Sequence, residues 1–141
     1  MTRLTLIGCF IVLGISLFLS GCSKGADMPE TVRAEGIVTF ENQPLEGAAI
    51  SFIPEKGRPA SGFTDASGHF VLRTFEKDDG AIVGSHTVMI TKVTSDAKKS
   101  DDLYAEQKSV IPEKYGDLKK SGLTATVSAS GENKFTFDLK K

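Results

Sequence analysis

The sequence predicts an all-β domain, a two-sheet sandwich of about seven short antiparallel strands, behind an N-terminal export signal. Three observations predict it. From Thr31 onward, apolar and polar residues alternate in one stretch after another, with almost no helical period. Glycine, proline, asparagine and aspartate separate those stretches at short intervals. Seven of the nine phenylalanines lie beyond residue 22, mostly at the alternating positions that would face inward.

The leader comes first. Arg3 supplies a positive flank, and residues 4–19 are nearly all apolar. A membrane-spanning helix needs roughly 20 such residues, so the run is short for one and suits a secretory signal. It stops at Leu19, Ser20, Gly21 and Cys22, followed by polar residues. Small residues let a peptidase grip extended backbone, and a thiol at the membrane surface is a nucleophile. This stretch resembles the bacterial lipobox. The resemblance implies diacylglycerol on the Cys22 thiol, removal of residues 1–21, and acylation of the new amine, typically with palmitate. Cys9, the other cysteine, leaves with the signal peptide, so no disulfide framework is expected. One acyl chain anchors a protein only marginally, at about 0.8 kcal/mol per buried methylene, whereas two or three hold it permanently. Ser23 stands where an aspartate would favour the inner membrane, which points to the outer membrane and the periplasm.

Residues 22–141 contain 16 basic and 18 acidic side chains. That balance offers no basic patch for nucleic acid, and no second apolar run suggests a transmembrane helix. The remaining length suits one domain burying about two thirds of its unfolded surface. Residues 22–30 read as the lipidated cysteine and a polar tether, whose eight residues after Cys22 reach at most about 26–29 Å. The domain then occupies residues 31–141.

Within it, Val32, Ala34, Val38 and Phe40 share one strand face, and Arg33, Glu35, Ile37 and Thr39 the other. Gly36 marks a bulge or a close approach. Asn42 tolerates left-handed backbone in the following turn, where Pro44 blocks ladder pairing. Ala48, Ile50 and Phe52 alternate in the next strand, which Pro54 ends. A short strand covers residues 60–64. A hairpin turn follows, with Asp65 receiving backbone amides and Gly68 supplying a positive φ. Phe70 and Leu72 continue as strand. After a connection at residues 76–84, His86, Val88 and Ile90 share a face. Leu123, Ala125 and Val127 form another strand, and Phe135, Phe137 and Leu139 the last, with a turn between them. Phe40, Phe52, Phe70, Phe135 and Phe137 would interdigitate between the sheets, each worth roughly 1.5–3 kcal/mol of burial.

These residues resemble the carboxypeptidase regulatory-like domain. Gly36, Pro44, Leu45, Gly47, Ala48, Thr64, Asp65, Gly68, Phe70 and Gly84 fall on its pattern of a Pro-Leu turn, a Gly-Ala strand start, Thr-Asp-x-x-Gly-x-Phe and a glycine before a late strand. The resemblance covers residues 31–92 and the closing strands. It implies a seven-stranded antiparallel Greek-key β-sandwich of the transthyretin (prealbumin-like) type. Asn42-Gln43 replaces a common glycine, and His86 stands where an aromatic is usual. The arrangement as a whole is similar to small bacterial lipoproteins carrying this domain.

Residues 94–122 do not fit a tidy sandwich, since this long loop carries six charges of each sign. Residues 101–108 suit a short helix, and Val110, Ile111 and Tyr115 could pin the loop to the domain. A solvated crossover is favoured over a binding loop. Catalytic chemistry is hard to find. His69 and His86 have no partner at metal-ligand spacing. Together with Tyr104 and Tyr115 they match the ligand types of intradiol dioxygenases, but without the H-x-H pair. The Tyr-Arg-Gly-Ser signature of a hydroxyisourate hydrolase is missing. Ser85, His86 and Asp65 could be drawn as a triad, but no G-x-S-x-G elbow supports it. Asp78-Asp79 and Asp101-Asp102 lack calcium-loop spacing. The expectation is a membrane-anchored lipoprotein with a non-catalytic binding or structural module, needing no cofactor or metal. Its partners would be the membrane, through Cys22, and an envelope protein or glycan. The alternative is a small periplasmic hydrolase or metal-dependent enzyme.

Overall fold

The computed structural model describes residues 28–94 and 108–141. Leu19, Ser20, Gly21, Cys22, most of the tether and the expected helix up to residue 107 lie outside them. The described residues are all-β, with one 3-10 turn and no α-helix. In chain order the strands are β1 (Thr31–Val32), β2 (Ala34–Phe40), β3 (Gln43–Pro44), β4 (Ala49–Pro54), β5 (Ala60–Phe63) and β6 (His69–Val71). They continue with β7 (Ala81–Ile82), β8 (Gly84–Thr91), β9 (Val93–Thr94) and β10 (Lys108–Ser109). The 3-10 turn (Glu113–Gly116) precedes β11 (Leu123–Val127) and β12 (Asn133–Leu139).

One sheet runs β11-β8-β4-β5, all antiparallel. In the other, β12 lies on one side of β2, while β6 and β3 share its opposite side. Two ribbons, β1–β7 and β9–β10, complete the ladders. The all-antiparallel expectation is corrected at one pair, because β12 runs parallel to β2, from Asn133 beside Ala34 to Leu139 beside Phe40. The reason lies in the turn at residues 128–132. It carries the chain from β11 in one sheet to β12 in the other instead of closing a hairpin. The Asn133 side chain braces that crossing. Its Oδ1 accepts from Ser128 N at 2.8 Å, and its Nδ2 donates to Ser128 O at 3.0 Å.

The alternation read from sequence sorts the side chains correctly. Ala34, Val38, Ala48, Ile50, Phe52, Phe70, Leu72, Val88, Ile90, Val127 and Leu139 are all but fully buried in one core drawn from both sheets. Phe52 is its hub, with ring centroids 5.2 Å from Phe135, 6.0 Å from Phe137 and 6.3 Å from Phe70. Phe40 and Phe135 are only half-buried, packing at the rim of this core. Phe63 is 71% exposed on edge strand β5. Gly36 is the close-approach glycine. A Cβ there would sit 2.2 Å from the Phe135 carbonyl oxygen and 2.8 Å from the Phe70 ring, so only glycine lets β12 lie against β2.

Two turn readings also change. Glu41 (φ 51°) and Asn42 (φ 64°) form a tight two-residue reversal joining β2 to β3. Pro44 does not block pairing there. It sits in register with Thr39 on a two-residue edge strand, where its missing N–H costs no ladder bond. The turn at residues 64–68 caps a hairpin split along its length. It is bonded at the tip, where Asp65 N donates to His69 O, and at the base, where Ser61 and Arg73 exchange both bonds. Between those points β5 joins one sheet and β6 the other, stitching the two layers along this edge.

Candidate functional site

The strand directions give the molecule two ends. At the near end the chain enters through β1, which pairs with β7 (Thr31 opposite Ile82). The residues 55–59, 74–80 and 128–132 also turn there. At the far end lie the Glu41-Asn42 turn, the turn at residues 64–68 and the segment 108–121.

A cavity of about 700 Å³ opens at the far end. Ile90, Val93, Ile111 and Pro112 give it an apolar floor, and Glu113, Lys114, Asp117 and Lys120 a rim with two charges of each sign. Residues 108–121 form its outer wall, and they are not a solvated crossover. Ile111 is 3% and Tyr115 8% exposed. The Tyr115 hydroxyl accepts from Lys140 N and donates to Lys140 O, both at 3.0 Å, which ties the 3-10 turn to the end of β12. Gly116 passes so close to β8 that a Cβ would come within 2.8 Å of Thr91 Cγ2. Val110, expected to help pin the segment, is instead 40% exposed. An apolar floor with a balanced charged rim suits contact with a surface of mixed character.

The motif residues cluster at the same end. Thr64 is buried, and its Oγ1 accepts from Ala48 N at 2.8 Å. Asp65 Oδ1 accepts from Ser67 Oγ at 2.6 Å, Ser67 N at 2.8 Å and His69 N at 3.0 Å, and these bonds hold its carboxyl below the usual range. Gly68 (φ 78°) turns the chain beneath them, and a Cβ there would meet Val38 O. Gly47 (φ 63°) begins the return to β4, Phe70 enters the core, and Pro44 stays exposed. Gly84 (φ 129°) lies apart, starting β8 at the near end.

The triad drawn from sequence is not assembled. Asp65 lies at the far end and Ser85 points outward from near the start of β8. His86 points inward, 3% exposed, with its ring 5.8 Å from that of Phe52. Its Nδ1 donates to Gly84 O at 3.0 Å, which leaves Nε2 a bare acceptor, buried without a partner among the described residues. Burial pushes the His86 pKa below its ordinary value, against the opposing Gly84 bond. His69 is 39% exposed beside Asp65, with Nδ1 3.9 Å from Oδ2. Tyr115 is a structural pin, and Tyr104, Asp101 and Asp102 lie outside the described residues. Among those residues no three His, Cys, Asp or Glu side chains converge as metal ligands do.

Sequence reading missed two features at the near end. Asp79, read as solvated charge, organises the loop before β7. Its Oδ1 accepts from Thr74 N at 2.7 Å, and its Oδ2 from Phe75 N at 2.9 Å and Glu76 N at 3.0 Å. Burial pushes this carboxyl up, but the amides together bring it below the ordinary value. The acid followed by Gly80, which ends the loop at φ 83°, was the available signal. Arg58, Arg73 and Lys77, scattered in sequence, line a second cleft of about 430 Å³. The bonded base of the hairpin, where Ser61 pairs with Arg73, brings them together.

Comparison with known proteins yields little. No family model matches the chain, and no curated protein does. Among solved structures, a 9R-lipoxygenase from Cyanothece PCC8801 aligns over 86% of this chain and 18% of its own, at 13% identity and a TM-score of 0.36. A likeness at that score bears on neither fold family nor chemistry.

Proposed function

We propose that the chain is a bacterial lipoprotein, anchored through acylated Cys22 in the outer membrane and facing the periplasm. It carries a non-catalytic module that binds an envelope protein or glycan. The observation that carries this reading is the sequence of residues 3–22, a basic flank and a short apolar run ending in Leu19-Ser20-Gly21-Cys22. The arrangement of the domain supports it. The chain enters through β1 at the near end, whereas the groove of about 700 Å³ opens at the far end. An anchor at one end thus leaves the groove facing outward. The outward Ser85 and the inward His86 leave the triad with Asp65 unassembled. For the fold, the knot of Thr64, Asp65, Gly68 and Phe70 under the start of β4 supports a seven-stranded Greek-key sandwich of the carboxypeptidase regulatory-like type. The several two-residue strands then count as edge additions to that plan.

Mass spectrometry of the protein isolated from bacterial membranes tests the anchor. The expected N-terminus is Cys22 carrying a diacylglyceryl thioether and an amide-linked acyl chain. Cys22→Ser should retain residues 1–21 and carry no lipid. A free thiol at Cys22 in the processed protein would overturn the reading.

A further inference from the structure

Among the described residues, the near-end cleft carries an excess of cations that the far-end groove does not. Arg58, Arg73 and Lys77 line it together with one carboxylate, Glu76, and the aromatic Phe75. Among the described residues none of these three cations lies within ion-pair distance of a carboxylate, although five other pairs form. Asp79, the acid closest in sequence to this loop that is not fully exposed, is taken up by the amides of Thr74, Phe75 and Glu76. Glu55 and Asp78 occupy the same two loops but do not line the cleft. The excess positive charge is therefore local to the cleft and is not spread over the whole face.

The cleft is also preorganised. Arg73 is fixed in the backbone by its paired bonds with Ser61, both 2.9 Å. The Arg58 guanidinium lies 5.9 Å from the centre of the Phe75 ring, a contact that restrains its position. Two guanidinium groups flanking one cleft suit the tetrahedral oxyanion of a phosphate, each offering paired N–H donors.

Position decides which phosphate. Gly57, next to Arg58, packs so closely on Ile82 that a Cβ would come within 2.8 Å of its Cδ1, and Ile82 pairs with Thr31. The cleft thus adjoins the point where the chain leaves the domain towards Cys22. A tether of eight residues reaches at most about 26–29 Å, which keeps this end near the lipid surface. We propose that the cleft between Arg58 and Arg73 binds the phosphate of an anionic phospholipid headgroup, seating the near end of the domain on the membrane and holding the far-end groove away from it. This rests on the lipid-anchor reading.

The chain contains no tryptophan, so a single introduced one reports on position. The full-length protein carrying Val83→Trp (near end, outside the cleft) or Glu113→Trp (far end) is placed in nanodiscs containing a quencher lipid at headgroup depth. The bilayer is either zwitterionic or about one third anionic phospholipid. The expected result is stronger quenching at residue 83 than at residue 113, increased by anionic lipid and reduced by salt. Adding Arg58→Gln and Arg73→Gln should shift the seated-to-free ratio by about 30-fold, since each cation near an anionic surface contributes on the order of one kcal/mol. Both arginines are exposed, so the double variant should keep its melting temperature, and Arg73→Glu offers a second test of the same prediction. Quenching at residue 83 that ignores lipid charge, or that survives the double substitution, would overturn the proposal. So would an acidic oligosaccharide that protects the cleft arginines from chemical modification where anionic lipid does not. Mass analysis of the same preparation separates the two readings. A bare Cys22 with residues 1–21 retained removes the lipid anchor. The response to lipid charge still decides the cleft, because the apolar run keeps the chain on the bilayer.

Discussion

At the level of single residues, stability centres on Phe52. Its ring meets Phe135, Phe137, Phe70 and His86 across both sheets and is fully buried. Phe52→Ala should cost about 3–5 kcal/mol in denaturant unfolding, from lost transfer energy and the cavity left behind. Phe63→Ala, at 71% exposure, should stay within about 0.5 kcal/mol of wild type. Equal effects from the two would show that the core is not where these contacts put it. Phe52 was legible as an inward residue because it alternates with Ser51 and Ile53. The role of Asp79 was not, because two adjacent acids look the same in sequence whether they are solvated or bonded to amides. The Thr64-Asp65-x-x-Gly68-x-Phe70 element lies between these cases. Its local turn chemistry could be read directly, but the bond from Ala48 N to Thr64 Oγ1 spans a separation that only the fold closes.

At the level of elements, alternation fixed which face of each strand turns inward but not which strands would pair. Period two gives the same pattern for parallel and antiparallel neighbours, so the β12–β2 pair could not be foreseen from Phe135, Phe137 and Leu139. For the same reason the cleft of Arg58, Arg73 and Lys77 was hidden, since it depends on the pairing of Ser61 with Arg73 at the base of the hairpin. In the segment 108–121 the sequence marked Ile111 and Tyr115 as docking residues, which both are, but its charges outnumber its apolar residues and so favoured a solvated crossover. That docking gives a test. Tyr115→Phe removes the hydroxyl serving Lys140 N and O and keeps the ring buried. A net loss of about 0.5–1.5 kcal/mol per hydrogen bond is expected, with faster tryptic cutting at Lys119 and Lys120. Cutting at the wild-type rate would mean that the ring alone holds the segment.

At the level of the whole molecule, His86 and Asp79, two shifted groups that are at least partly buried, sit in the near half and shape how the fold responds to acid. His86 is neutral and buried, with its pKa pushed below the ordinary 6.5 by burial. The unfolded chain therefore takes up a proton near pH 6.5 that the folded one refuses, so stability is full above that pH and falls as pH drops towards the lowered folded value. The fall cannot exceed about 1.4 kcal/mol per pH unit for this single proton. Asp79 also has a lowered folded pKa, so its contribution is present above an ordinary aspartate value near 3.8 and is lost only below it. The two losses therefore occupy separate windows, histidine first. Urea unfolding at pH 7.5, 6.0 and 5.0 should show declining stability for the wild type. His86→Phe places a ring of similar shape against Phe52 and should reduce that decline. Stability that rises on acidification, or a His86→Phe variant as pH-sensitive as the wild type, would mean that the ring is charged in the fold. Its Nε2 would then require an acceptor that the core around Phe52 does not provide.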